Sequence, residues 1–429
     1  MLLNISRHCL QKVHTMAANS KVINRFIMLT LLCYPMLLLT VRGGMSALFF
    51  LISIASIIYL FRTPICSTSK QWDGYGKAFT IVMLFPMLAV FLSLIYHGTI
   101  RAQPFDGPSR FLLAIPIFFA LRRSEVRTFS LLQYGFPLGA LSALFCTVLT
   151  LHEWKDNLFF VNYIRYSDMA LMLGFLSLFS VNWITQDRAP IFILKIFGLL
   201  AGLFLSIQSG ARGGWVAIPV LFFIWWFSKN SKFSWPKFVA VIFSILFAIL
   251  LAYAFIGTVH SRLDMIHQDM TNFYQGNKDT SLGIRLQVWQ AAYHIFTEHP
   301  VFGVGPGGFS QLMTSLSHSG ELSVAAASEG RGEALNELVG YAVGFGIFGL
   351  ISILAVYLVP LFIFIRSTRS PVALIRTSAY MGICFVTGFI IFGLSVQIFN
   401  LKMIVSFYSL TLVVLLAAAT REIPRPDPI

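Results

Sequence analysis

The chain has 429 residues, 57% of them hydrophobic and only 11% charged, with a mean hydropathy of +0.77. Soluble domains carry roughly 25% charged residues, so this composition excludes an ordinary water-soluble globule and assigns most of the surface to lipid. The formal charge of +14 does not point to nucleic acid, because the basic residues are scattered in short segments between apolar runs, as membrane topology requires.

In chain order, a polar and basic stretch from Met1 to Lys21 runs into a long apolar segment without an A-x-A-like site. This predicts a cytoplasmic tail ahead of a retained first helix, not a cleaved signal peptide. Hydropathy then predicts helices over about 22–41, 44–61, 78–96, 110–121, 128–151, 167–185, 190–208, 215–227, 238–257, 346–365, 373–397 and 402–420. These are about twelve spans, of which the fourth and eighth are short.

Lys and Arg gather in alternate connections: Arg62, Lys70 and Lys77; Arg122, Arg123 and Arg127; Arg188 and Lys195; Lys229, Lys232 and Lys237; Arg366, Arg369 and Arg376. Both ends join the same side through Arg7, Lys12, Arg421 and Arg425, and the positive-inside rule makes that side the cytoplasm. The expected organisation is a membrane block over 1–257, one large outward loop over 258–336, and a closing membrane block over 337–429. We expect no soluble domain at either end and no internal repeat.

A loop of that length is functional or disordered as a rule. Here Ser281 to His299 reads as an amphipathic helix with Arg285, Trp289, Ala292 and Phe296 on one stripe, ended by Pro300, so order is expected. The five cysteines (Cys9, Cys33, Cys66, Cys146 and Cys384) form no CxxC pair, and neither a disulfide framework nor a zinc site is expected.

Arginines on the outward side run against the topology bias. Arg212 lies in Ser209-Gly210-Ala211-Arg212-Gly213-Gly214-Trp215, a tight turn between two apolar helices. Flanking glycines admit close backbone approach, and a guanidinium grips phosphate bidentately. The same residue also suits snorkelling to lipid headgroups. Arg285 lies on the loop helix, where a surface salt bridge is its plainer explanation, and Arg101, Arg110 and Arg165 add positive charge in other outward segments. Together they describe a basic cleft facing an anion at the membrane surface.

His299 opens His299-Pro300-Val301-Phe302-Gly303-Val304-Gly305-Pro306-Gly307-Gly308, whose G-x-G is no dinucleotide site because no βαβ unit is available. His299 suits a general base near neutral pH, or a helix cap, with His260, His267, His294 and His318 as competitors in the same loop. The aromatic residues, including Trp225-Trp226, are read as lipid-facing bulk and interface anchors, and Gly340-Tyr341-Ala342-Val343-Gly344 as a helix-packing face.

These pieces, in this order, resemble the O-antigen ligase/polymerase family of bacterial envelope enzymes. The resemblance rests on the many-helix block, the single large loop, S-G-A-R-G-G-W at 209–215, G-I-R at 283–285 with Trp289, and H-P-V-F-G-V-G-P-G-G-F at 299–309. It implies an all-α polytopic membrane protein with one large periplasmic helical loop, a GT-C-like glycosyltransferase of the inner membrane that needs neither metal nor cofactor.

By resemblance, the donor is an undecaprenyl-diphosphate-linked glycan. The acceptor is lipid A–core oligosaccharide for a ligase, or another lipid-linked repeat for a polymerase. Membrane lipids are the remaining partners, and nucleic acid is not one. Arg212 and Arg285 fall on the family's diphosphate-binding arginines. Relatives often carry His-Asn ten residues ahead of a G-x-x-G. Here Asn336 precedes Gly346-Ile347-Phe348-Gly349 by ten, but Leu335 replaces the histidine, with Glu333 and Glu337 beside it.

The expected mechanism is attack of an acceptor hydroxyl on the anomeric carbon, with Arg212 and Arg285 stabilising the leaving diphosphate and His299 as base. Arg101, Arg110, Arg165, Trp289, His318, Glu333, Asn336 and Glu337 are expected on the substrate-binding side. The outward arginines beyond the clamp favour an acidic core acceptor, hence a ligase over a polymerase. A small-solute transporter is the rival from another class, opposed by the missing repeat and by the concentration of polar residues in one loop.

Overall fold

Long apolar runs broken by Gly, Pro and charge give helices, and in the computed structural model every regular element among the described residues is helical. The structure describes residues 21–63, 73–99, 101–149, 160–229 and 253–421, together with 239, 243 and 250. The first group of helices is α1 (Lys21–Leu38), α2 (Gly44–Arg62), α3 (Gly74–Tyr96), α4 (Asp106–Arg123), α5 (Leu132–Leu149), α6 (Tyr163–Phe179), α7 (Ala189–Ser209) and α8 (Ala217–Lys229). Four helices follow in the large loop: α9 (Gly257–Tyr274), α10 (Ser281–Glu298), α11 (Gly308–His318) and α12 (Val324–Gly332). The chain closes with α13 (Glu337–Ser367), α14 (Ala373–Gly393) and α15 (Lys402–Ala419).

Among the described residues, eight helices are long and apolar enough to cross a membrane: α1, α2, α3, α5 with its preceding turn, α7, α13, α14 and α15. The chain is therefore an all-helical, multi-pass membrane protein. The expectation of about twelve spans differs for physical reasons. The fourth is a full 18-residue helix, but it carries Asp106, Arg110, Arg122 and Arg123. The sixth and eighth are helices of 17 and 13 residues. Most of the expected ninth span, 238–257, lies outside the described residues.

Two helices carry the interior. In α15 every residue from Ile404 to Ala419 is buried, and in α6 every residue from Tyr166 to Phe179 is buried. Close backbone contact locks α6 to α7: a Cβ added at Gly202 would stand 2.6 Å from the Ala170 carbonyl oxygen. Such small-residue seams are how helices associate where lipid supplies no hydrophobic drive.

At the end of the bundle away from the loop helices, Arg122 forks onto both oxygens of Asp73 at 2.9 Å. Lys195, expected in a connection, instead lies inside α7, fully buried, where it donates to Asp187, Gln133 and Ser180. It fastens α5, α6 and α7 together and is no surface charge.

The loop helices own a small core of Val288, Ala292, Ile295, Met313, Leu322, Ala326, Ala327 and Leu335. They meet the bundle at a break in α13, where Gly346 adopts φ 65°, ψ −152°. Backbone from the histidine–proline loop completes the interrupted helix: Val304 N–H donates to the Val343 carbonyl at 2.9 Å, Gly305 N–H to Gly344 at 3.0 Å, and Ile347 N–H to Pro300 at 2.8 Å. Non-helical backbone at such depth needs protein partners of this kind. Phe302 holds the wedge in place, stacked between Tyr96 and Phe348. Gly346 therefore packs on this loop and Gly340 on the Gln397 side chain, while Gly344 has open space, so the spacing does not mark a helix-packing face.

Candidate functional site

The S-G-A-R-G-G-W segment ends α7 and turns once, over Arg212–Trp215, before α8. Gly210 ends α7 in the left-handed region at φ 67°. The Trp215 indole N–H donates to the Ser206 carbonyl at 3.0 Å and straps the turn to α7. The turn has no space on either side. A Cβ at Gly210 would come 2.6 Å from Nε of Arg262, and one at Gly214 would come 2.5 Å from Oδ1 of Asp168. Asp168 is only 1% exposed, and neither of its carboxylate oxygens has a hydrogen-bond partner among the described residues.

Arg285 reaches the same place from the second turn of α10. That helix is capped by Thr280, whose hydroxyl oxygen accepts from Gly283 N–H at 3.1 Å. Arg212, Arg262 and Arg285 together line a cavity of about 510 Å³, with Tyr163, Ser395 and Asp269 in its wall. Among the described residues Asp269 is the only carboxylate there, and its contact with Arg212 is long, at 3.3 Å. Among the described residues Arg285 makes no ion pair. Burial first, and the Arg212 cation second, push the Arg285 guanidinium below its ordinary range, against opposing influences from Glu333 and Tyr163. An arginine nevertheless stays charged, so this cavity sets three cations against one carboxylate and is two counter-charges short among the described residues.

Behind Arg285 stands a buried lattice. Arg165 pairs with Glu333 and donates to the Gln397 carbonyl at 3.0 Å. Gln397 N–H donates to Glu333 at 3.1 Å, and Ala334 N–H donates to the Gln397 side-chain oxygen at 2.7 Å. Burial raises the Glu333 carboxyl above its ordinary range, with Arg165 opposing. Across this lattice lies a larger cavity of about 740 Å³, which takes in Arg101, Lys402, Gln311 and the Gln397 side chain.

The residues expected at the site separate accordingly. Arg212 and Arg285 share one cavity, while Arg101 lines the other. Arg165 and Glu333 line neither cavity but are bonded to Gln397, which lines the larger one. Arg110 is not in an outward loop: it is 3% exposed inside α4, pairs with Asp106, and donates to Ser406 at 2.8 Å. Three further residues are engaged in holding backbone. The Trp289 indole donates to the Ala334 carbonyl, Asn336 caps α13 by accepting from Leu338 N–H, and Glu337 accepts from Phe399 N–H.

His299 ends α10, exposed, and lies roughly 20 Å along the helix axis from Arg285 at 1.5 Å per residue. His318 closes α11, also exposed, and lines neither cavity. Neither histidine converges with the arginines. Leu335, where relatives often carry histidine, packs into the loop core in the left-handed region at φ 53°.

Arg262, Asp269, Tyr163 and Ser395 were not singled out from the sequence. Arg262 had a signal of the same kind as Arg212, an arginine on the outward side. Asp269 lies two turns further along α9, on the face that carries Arg262.

Residues 196–354 match the family model described as O-antigen ligase, which supports membership of the O-antigen ligase/polymerase family. The matched stretch contains all three cavity arginines, Glu333 and the break at Gly346. A protein of Haemophilus influenzae, named as an uncharacterized protein, is 24% identical over 312 residues, covering 70% of this chain and 75% of its own.

Proposed function

We propose, on the premise that this chain is a member of the O-antigen ligase/polymerase family, that it transfers a glycan from undecaprenyl diphosphate to lipid A–core oligosaccharide at the periplasmic face of the inner membrane. The single observation that carries this reading is the under-neutralised arginine cavity. Arg212, Arg262 and Arg285 surround about 510 Å³ with one weakly paired carboxylate, the complement of a diphosphate.

In the proposed step, the acceptor hydroxyl attacks the anomeric carbon of the donor sugar. The bond from that carbon to the diphosphate oxygen breaks, and its electron pair leaves with undecaprenyl diphosphate. The three guanidiniums stabilise the charge that develops there, in the role a divalent metal plays elsewhere. Among the described residues no three His, Cys, Asp or Glu side chains stand close enough to hold such a metal.

The hydroxyl proton goes to Glu333, not His299. Glu333 stands close enough to Arg285 for their charges to interact, and burial raises its carboxyl above the ordinary range, which strengthens it as a proton acceptor. The proposed fold relation to GT-C enzymes is supported by the family match and by the helical loop set on the bundle. Deleting the gene in its own cell tests the reading. Full-length lipid-linked chains left unattached to core support a ligase, whereas single unpolymerised repeats favour a polymerase.

A further inference from the structure

The 740 Å³ cavity belongs to no part of that donor clamp, and its chemistry is different. Its charged side chains are Arg101 and Lys402, and among the described residues it has no carboxylate in its wall. Four carboxamides line it as well: Gln103, Gln311, Gln397 and Asn400. A carboxamide carries both a donor and an acceptor, the pairing that sugar hydroxyls require. The Gln397 oxygen already accepts from Ala334 and Asn400, which leaves its NH2 as a donor and Gln103 and Gln311 with both groups. Tyr341, Phe345 and Phe399 supply rings on the inner side, where α3 and α13 pass. The volume lies within the roughly 300–1,000 Å³ of ordinary ligand pockets. Arg101, Gln103, Gln311, Asn400 and Lys402 are exposed at its mouth, while Val90 and Leu94 close its floor at 1% and 2% exposure.

The cavity is built, not left over. The Gln397 carboxamide occupies the space above Gly340, where a Cβ would meet its Nε2 at 1.6 Å. Asp106 pairs with Lys402 and with Arg110, and so steadies one wall of the cavity. Arg101 has no ion pair among the described residues and is exposed in the lining of the cavity.

Position completes the argument. Gln397 lines this cavity with its side chain and holds Arg165 and Glu333 through its backbone, while Ser395 lines the arginine cavity. Two residues span about 7 Å at most, so the cavities are back to back with Glu333 in the partition.

We propose that the 740 Å³ cavity is the acceptor subsite and takes an anionic sugar, phosphorylated or carboxylated, with Arg101 as its anion contact and the carboxamides on its hydroxyls. This rests on the glycan-transfer reading above. The acceptor enters from the Arg101 side, the donor diphosphate lies under Arg212 and Arg285, and the proton passes at Glu333 between them.

The test uses the full chain in lipid nanodiscs with Arg101→Gln and Gln311→Ala, both changes at exposed positions. Steady-state transfer from undecaprenyl-diphosphate glycan to phosphorylated lipid A–core should show KM for the acceptor raised about tenfold by Arg101→Gln, with KM for the donor unmoved. Dephosphorylating the acceptor should cost wild type the same factor and Arg101→Gln little more, the sign of a shared contact.

A raised donor KM with an unmoved acceptor KM would assign the cavity to the outer sugars of the donor and overturn the proposal. No change in either KM would overturn it too. If wild type transfers nothing, the functional reading fails separately. Calorimetric binding of soluble phosphorylated core oligosaccharide, without donor, then decides the cavity: weaker binding by Arg101→Gln supports the subsite, and equal or absent binding by both proteins ends it.

Discussion

Arg285 and Arg212 face one cavity from different parts of the chain, and the Arg212 cation adds to burial in pushing the Arg285 guanidinium below its ordinary range. The repulsion between them is borne by the empty protein. A bound diphosphate, as proposed above, would convert it into attraction, and the pair would then be a site prepared at the expense of resting stability.

Replacing Arg285 by Gln should therefore act in two directions. Transfer should fall by roughly 10²–10³, the loss seen when one preorganised charge donor is removed. The substrate-free protein should at the same time resist heat better, because a buried like charge has gone. Thermal unfolding in detergent beside a transfer assay checks both. Arg285→Lys should recover only part of the rate, since an ammonium lacks the guanidinium fork. A variant less stable than wild type would show that Arg285 is a structural ion, not a binding one.

The proposed base predicts a pH profile. Glu333 accepts a proton only when ionised, and burial has raised its pKa, so transfer should rise with pH through a limb above the ordinary glutamate range of about 4.3. Stability moves the opposite way through this group. Its contribution is full below the unfolded pKa and is lost as pH rises through the raised folded one. Glu333→Gln should abolish the acidic limb and lower the rate by about 10²–10⁴. A limb that persists unchanged in Glu333→Gln would assign the proton elsewhere.

His299→Ala should transfer at close to the wild-type rate, because His299 stands roughly 20 Å along α10 from Arg285. A loss comparable to that of Arg285→Gln would restore the histidine to the reacting centre and require α10 to be placed differently.

The glycine turn predicts a rescue. Gly214→Ala drives a Cβ against Oδ1 of Asp168, which is buried without slack, so the folded yield should drop. Asp168→Ala clears that space and removes a carboxylate that has no hydrogen-bond partner among the described residues, so the double variant should regain yield. Size-exclusion profiles of the two proteins decide it, and equal yields would mean that this contact does not limit the turn.

Much of the architecture was legible because long apolar runs allow few structures other than helices. The start of α13 was not. The glycines between Gly340 and Gly349 weaken its helical pattern, and the break at Gly346 is held by hydrogen bonds from residues 300–305, a partnership no local pattern carries. Arg212 and Arg285 were readable as charges placed against a topological bias. Arg262 was obscured within a helix already rich in polar residues. Arg110 was misread although Asp106, four residues earlier, is a helical ion-pair partner in plain sight. Gln397 had no sequence signal, since its importance lies in contacts with Glu333, Ala334 and Arg165 across the fold.

The most direct measurement is a reconstitution of the purified chain with undecaprenyl-diphosphate glycan and lipid A–core in the presence of a metal chelator, read by the mobility of the core lipid. The account predicts a ladder of glycan-bearing core that disappears in Arg212→Gln and Arg285→Gln. Growth of the lipid-linked glycan with no shift of the core, or no product from demonstrably folded protein, would contradict it.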